Sequence, residues 1–437
     1  MSKDKVSVLV WYRKDLRAVD HKGLKKAIDS GLKVIAYYTF NPHHYETQAW
    51  GFKKTGGFRS QFLIESIRAL KASLKVLNIS LIIDTKPPEE GLPNLIKKYQ
   101  VKLIYLQHEW TEEEKKEEEA LAEQIDPSIG WKRHYEQFLF HPSDIPFSRS
   151  QIPEMFGAFR KRCEQEIKVR PLSTVISPLD PSNLIEGTGD LPSLGDLGLE
   201  SFEQGESTAF PFGGGTAAGM ERLDYYFWKK KKLSYYKNTR NGLLGTDYSS
   251  KFSPWLANGS LSPKLIYWEI KRYEKEIQKN QSTYWLIFEL IWRDYFKYIS
   301  LKHGNKVFKI GGILDRDYNW KADRGLFNEW ANGKTYEPFV NANMIELNQT
   351  GWMSNRGRQN VASFFSKDMK MDWRIGAAYF ESLLVDYDVH SNYGNWMYVS
   401  GVGNDPRERK FDLKWQAERY DPQGKYQKLW LHKTLSK

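Results

Sequence analysis

The chain carries four short apolar runs in its first quarter, at residues 6–11, 34–40, 81–83 and 103–106, separated by more polar segments. Runs this short and this continuously apolar are the pattern of strands buried on both faces of a parallel sheet. Between the second and third runs, Leu63, Ile67, Leu70, Leu74 and Leu77 recur at steps of four and three, which places them on one face of a helix. Strand and helix alternation predicts a doubly wound α/β domain with a parallel sheet over residues 1–135. The Gly-x-Gly-x-x-Gly turn of dinucleotide-binding folds is missing after the first run, where Tyr12-Arg13-Lys14-Asp15-Leu16-Arg17 stands, so a standard dinucleotide fold is not expected.

Residues 136–215 read as a connector, and from 171 onward Pro, Gly, Ser and Asp dominate and periodicity disappears. The connector closes on Gly213-Gly214-Gly215, with Thr216 as the expected N-cap of a helix over 217–228. No Gly-Lys-Ser/Thr follows the glycines, so they read as a hinge and not as a phosphate loop. Residues 216–437 show helical spacing, clearest at 263–279, 284–301 and 356–365, and predict an all-α second domain. The Lys229-Lys230-Lys231-Lys232 run reads as a solvated helix face.

Composition narrows the function. The chain is 40% hydrophobic, 27% charged and 15% aromatic, with 16 Trp and 25 Tyr among 437 residues, which excludes a disordered chain and suits ring stacking or electron transfer as well as packing. A net charge of +11 favours a polyanionic partner, because neutralising phosphates releases counterions. Cys163 is the single cysteine, so neither a disulfide framework nor a cysteine metal site is expected. No stretch of 18 apolar residues and no leader pattern occur, so a cytoplasmic chain without a membrane span is expected, and as a monomer. Asp386 and Asp388 form an Asp-x-Asp pair, but no other acid or histidine cluster completes a shell, so no metal is expected.

Four separated segments carry more specific information. They are Tyr236-Lys237-Asn238-Thr239-Arg240 with Ser249-Ser250-Lys251-Phe252-Ser253-Pro254; Glu289-Leu290-Ile291-Trp292-Arg293-Asp294; Trp352-Met353-Ser354-Asn355-Arg356-Gly357-Arg358-Gln359-Asn360; and Asp386-Tyr387-Asp388-Val389-His390-Ser391-Asn392-Tyr393-Gly394-Asn395-Trp396. Taken as residues alone, the three serines before Pro254 offer hydroxyl and N–H groups suited to a pyrophosphate, and would otherwise read as a loop. Glu289 and Trp292 lie three apart, on one helix face. In this order, and with the Arg13-Lys14-Asp15-Leu16-Arg17 turn, the segments resemble the photolyase/cryptochrome family over nearly the whole chain, and within it the DASH branch.

That resemblance implies non-covalent FAD. It implies that Tyr236, Ser249, Ser250, Lys251, Phe252, Ser253, Arg293 and Asn355 line the cofactor and that Arg358 pairs with Asp386 beside the flavin ring. Asp388 would bond the isoalloxazine edge and Asn392 would face flavin N5. It assigns Trp396, Trp373 and Trp320 to electron transfer, and Glu289, Trp292, Asn355, Arg356, Gln359 and Tyr398 to a flipped pyrimidine dimer. The implied reaction is blue-light electron donation from reduced FAD to a cyclobutane dimer, which splits and returns the electron. An antenna, 5,10-methenyltetrahydrofolate, is implied in the first domain, where Glu112 and Glu113 in Glu109-Trp110-Thr111-Glu112-Glu113 stand for the folate-contacting acid among several competing glutamates.

Two positions depart from duplex-repairing photolyases. Gln359 replaces Met and Tyr398 replaces a second Trp, as is typical of the DASH branch, and both point to single-stranded DNA as substrate. They also keep open a second function, a light-sensing DNA- or RNA-binding protein with little repair. A redox enzyme with dissociable FAD is disfavoured, because no nicotinamide site is visible.

Overall fold

The computed structural model describes residues 6–432 except 175, 317, 406, 408 and 409. Five parallel strands form one sheet: β1 (Ser7–Trp11), β2 (Lys33–Thr39), β3 (Leu81–Asp84), β4 (Val101–Gln107) and β5 (Gly130–His134), in the order β3-β2-β1-β4-β5. β1 is buried along its whole length, which is why its sequence is apolar without alternation. The fifth strand has no counterpart among the four apolar runs. Gly130-Trp131-Lys132-Arg133-His134 lies at the sheet edge, half-buried or exposed, and an edge strand carries charge without cost. The helix Gly57–Val76 covers one face and buries Ile67, Leu70 and Leu74.

The connector is ordered where it packs back on this sheet. The Asn183 side chain accepts from Val34 N (2.9 Å) and donates to the Val34 and Asn78 carbonyls. Before it lies the helix Phe156–Glu166, inside the 136–215 connector. At the hinge, Gly215 (φ +94°) occupies the N-cap position in place of Thr216, whose hydroxyl instead donates to Ser260 O. Only glycine adopts that φ without strain, and a Cβ there would meet Ala69.

The second domain is helical: Pro263–Glu276, Gln281–His303, Pro338–Thr350, Asn355–Ser363, Trp373–Leu383 and Val389–Ser400 enclose the largest core cluster. The turn after β1 locks the two domains together. Leu16 N donates to Asn258 O (3.1 Å), Arg17 Nη1 to Gly259 O (2.9 Å), and Asp20 accepts from Ser262 Oγ and Lys264 Nζ. Across the same seam both oxygens of Asp294 accept backbone N–H bonds from Leu139 and Phe140. Among the described residues no helix is long and apolar enough to cross a membrane.

Candidate active site

The four motif segments converge on one cavity of about 500 Å³ inside the helical domain. One wall is the 249–253 turn. Arg222, buried on the helix Thr216–Asp224, donates to the carbonyls of Thr246, Ser249 and Ser250 and pairs with Asp247 at 2.9 Å. With the carbonyls held by Arg222, the hydroxyls of Ser249, Ser250 and Ser253 are left without a partner among the described residues. Lys251 sits at φ +64°, is 2% exposed, and its Nζ has no hydrogen-bond partner among the described residues. It lies over the faces of Tyr248 (3.3 Å) and Trp352 (4.4 Å), and burial pushes its amine well below the usual range. A buried amine and three free hydroxyls in one turn fit a polyanionic ligand such as a diphosphate.

Charge pairing sets a further part of the lining. Arg358 Nη2 donates to Asp386 at 3.0 Å and Arg358 Nε to Met353 O. Asp388 caps the helix Val389–Ser400 by accepting from Ser391 N, and its second oxygen accepts from Lys297 Nζ at 2.7 Å. Burial opposes ionisation of Asp388, but Lys297, His390 and Arg293 outweigh it and hold the carboxyl well below the ordinary range. Arg293 ties the cavity to the seam through Gln137 O and Leu256 O. Asn392 lines a smaller cavity of about 90 Å³ that shares Arg358, Asp386 and Asp388 with the main one. Its amide nitrogen donates to Ala377 O, and its oxygen has no hydrogen-bond partner among the described residues. Tyr236 is buried in the same wall.

Glu289, Trp292, Asn355, Arg356, Gln359 and Tyr398 line the same cavity. Trp292 lies edge-on to Tyr398 (6.0 Å, 88°), and one face of its indole is stacked on Phe156 at 3.6 Å and 11°. Arg356 donates to Gln359 Oε1 at 3.0 Å. Glu289 pairs with Arg240 at 2.8 Å, while burial pushes its carboxyl up. Four residues of the site were not reached by sequence reasoning in this role: Arg222, Phe156, Lys297 and Arg240. Arg240 lies in a quoted motif, but its pairing with Glu289 spans 49 positions, and no local pattern marks such a contact.

The three expected relay rings occupy one region without direct ring contact. Trp396 is 2% exposed and packs on Phe380 (5.1 Å), Phe365 (6.1 Å) and Trp330 (6.2 Å). Gly376 on the helix Trp373–Leu383 leaves the space that the Trp396 ring fills. Trp373 contacts Tyr393 (6.0 Å) and Trp320 contacts Tyr318 (5.3 Å), while Lys321 bonds the backbone at Lys370 and Asp372 just before Trp373.

A second cavity of about 460 Å³ opens at the carboxyl ends of β1 and β2, where doubly wound sheets bind ligands. Glu112 and Glu113 both line it. Glu112 pairs with Lys116 and accepts from Asn305, and Glu113 pairs with Lys54. Glu114, Glu117 and Glu381 share that wall, with Tyr38, Phe40, Tyr387 and Tyr393 as rings. Ala257 borders both cavities.

Asp15, His21 and His134 bring three potential ligand atoms within 4.8 Å of one another in the buried first domain. His21 Nδ1 accepts from Leu24 N, so its Nε2 carries the proton donated to Asp15 (2.8 Å). That leaves the His21 ring no lone pair for a cation.

Comparison with known proteins places this architecture. The family described as DNA photolyase matches residues 8–178, and the FAD binding domain of DNA photolyase matches residues 285–435. The crystal structure of the Synechocystis cryptochrome superposes with a TM-score of 0.94 at 46% identity, covering 99% of this chain and 89% of that one. A bacterial class III photolyase from Agrobacterium tumefaciens superposes at 0.81 with 25% identity, over 99% and 87%. Fold and site thus define a photolyase/cryptochrome protein with an FAD-binding domain. Among curated proteins, the cryptochrome DASH of Synechocystis is 46% identical over 97% of this chain and 87% of its own length, and that of Xenopus laevis 45% over 97% and 82%. The chain belongs to the DASH cryptochromes of the photolyase/cryptochrome family.

Proposed function

We propose that this protein is a light-driven lyase that splits cyclobutane pyrimidine dimers, with single-stranded DNA as its preferred substrate. The observation that carries this reading is the single 500 Å³ cavity that holds the cofactor wall and the lesion wall together. Bound FAD would supply the light-driven electron. The 249–253 turn and Lys251 would hold its diphosphate, and Arg358 with Asp386 and Asp388 would hold its ring edge. Trp292 and Tyr398 would receive the flipped bases, and Glu289 would accept from the pyrimidine edge. Trp396, Trp373 and Trp320 would refill the electron without touching the lesion.

The single-strand preference follows from the size of the lesion wall. Tyr398 is smaller than Trp, and Gln359 is polar and already bonded to Arg356. Stacking in such a cleft returns less of the few kcal/mol needed to extrude a paired dimer, a cost that a single strand does not carry.

The same wall supports a second reading, a light-sensing DNA- or RNA-binding protein with little repair, because Phe156 already covers one face of Trp292. Blue-light repair of a dimer-containing oligonucleotide separates the two.

The 460 Å³ cavity suits a flat aromatic antenna with both charge signs at its rim, which 5,10-methenyltetrahydrofolate would satisfy. Its release on denaturation, read by absorption, tests this assignment.

A further inference from the structure

A third concavity, an open groove of about 1000 Å³, runs across the surface beside the lesion cavity. Lys232, Lys237, Arg419 and Tyr420 line it, and Tyr248 is common to groove and cavity. Among the described residues the one carboxylate in its wall, Asp247, is paired with Arg222 at 2.9 Å. Lys232 and Arg419 take part in no ion pair among the described residues, so both charges remain available to an outside anion.

The groove is joined to the lesion site by three contacts. The Arg356 guanidinium lies 4.7 Å over the Tyr420 ring and donates to Asn241 of the groove wall. Lys237 Nζ lies 4.6 Å over Trp285, which lines the lesion cavity. Beyond Tyr420, with ring centroids 6.5 Å apart, stands Trp415, which is 52% exposed. Trp415 and Arg419 are four apart on the helix Leu413–Tyr420 and so share a face. An indole left in water beside uncompensated cations, continuous with a cavity for bases, is the combination that binds unpaired strands by stacking and phosphate contact.

We propose that this groove carries the single DNA strand that flanks the lesion, with Trp415 as a stacking platform for an unpaired base and Lys232 and Arg419 as phosphate contacts. The Lys229-Lys230-Lys231-Lys232 run thereby gains a function through its last member, while Lys229 pairs with Asp224. The inference extends the lesion-site reading of the cavity, and the test separates the two.

Binding of the full FAD-loaded chain is measured by fluorescence anisotropy at several salt concentrations. The ligands are a single strand of about 16 nucleotides with a central thymine dimer, the same strand undamaged, and the dimer dinucleotide. Trp415→Ala is expected to weaken both long strands about fivefold to hundredfold and to leave the dinucleotide unchanged. Trp415→Phe should restore most of the loss. The pair Lys232→Ser and Arg419→Ser should lower the slope of log affinity against log salt by about 1.4 for the long strands. Arg356→Ala should weaken damaged strand and dinucleotide alike. Unchanged binding of both long strands by Trp415→Ala and by the double variant overturns the groove proposal and leaves the cavity reading intact. Failure of the parent protein to bind the dinucleotide overturns the cavity reading, and the undamaged strand still judges the groove.

Discussion

Lys297 Nζ lies 2.7 Å from Asp388 Oδ2; both side chains are buried, and Asp388 lines the 500 Å³ cavity. Removing one partner of such a pair leaves the other charge buried and uncompensated, which costs about 3–5 kcal/mol. Lys297→Met should therefore lower stability by about that amount and reduce retained FAD, whereas Lys297→Arg should keep both. Because the Asp388 carboxyl is held well below the ordinary range, its contribution is present above the usual aspartate pKa and is lost as pH falls through its folded value. Chemical denaturation across acidic pH with flavin fluorescence as readout checks both statements.

Glu346 behaves in the opposite sense. It is buried, accepts from the Tyr426 hydroxyl at 2.6 Å, and burial pushes its carboxyl up to about 7. The folded chain then binds a proton that the unfolded chain releases, so stability present below the ordinary carboxyl pKa is lost as pH rises to about 7. Glu346→Gln should remove that slope and raise stability above neutral pH by on the order of 3 kcal/mol. Denaturant midpoints measured from acid to neutral pH would show whether the slope disappears.

Trp396 is enclosed by Phe380, Phe365 and Trp330. Trp396→Phe should slow light-driven reduction of the bound flavin at least about tenfold, or about 1.4 kcal/mol of barrier. It should leave FAD content and repair by chemically reduced protein intact. Absorbance changes under blue light, with dithionite-reduced protein as the control for repair, give the comparison.

Much of the fold is legible in the chain because buried parallel strands are apolar throughout, as residues 34–40 and 103–106 are. β5 is not, because an edge strand with Lys132 and Arg133 toward water lacks that signature. Members of all four motif segments line the larger cavity, with Asn392 and Trp396 on the smaller one beside it, but the residues that organise them carry no local signal. Arg222 fixes the 249–253 turn from 27 positions upstream of Ser249, and Phe156 reaches Trp292 from the connector. Such contacts depend on how helices pack and leave no local periodicity to read. Thr216 misled for the converse reason, since a good capping residue stands one position inside a helix that Gly215 begins.

Gln359 and Tyr398 should set the substrate form. Gln359→Met with Tyr398→Trp is expected to raise repair of duplex about tenfold, equivalent to about 1.4 kcal/mol of recovered stacking and burial. Repair of single strands should change far less. Both substrates at one salt concentration, before and after the double substitution, make the comparison.

Repair itself decides between lyase and light sensor. FAD-loaded, chemically reduced protein is mixed with a single-stranded oligonucleotide bearing one cyclobutane thymine dimer, illuminated with blue light, and followed by recovery of thymine absorbance. The expected result is multiple turnovers in the light, none in the dark, and slower recovery with the same lesion in a duplex. Tight binding of the damaged strand without light-dependent recovery would contradict it and leave the cavity as a light-sensing nucleic-acid site.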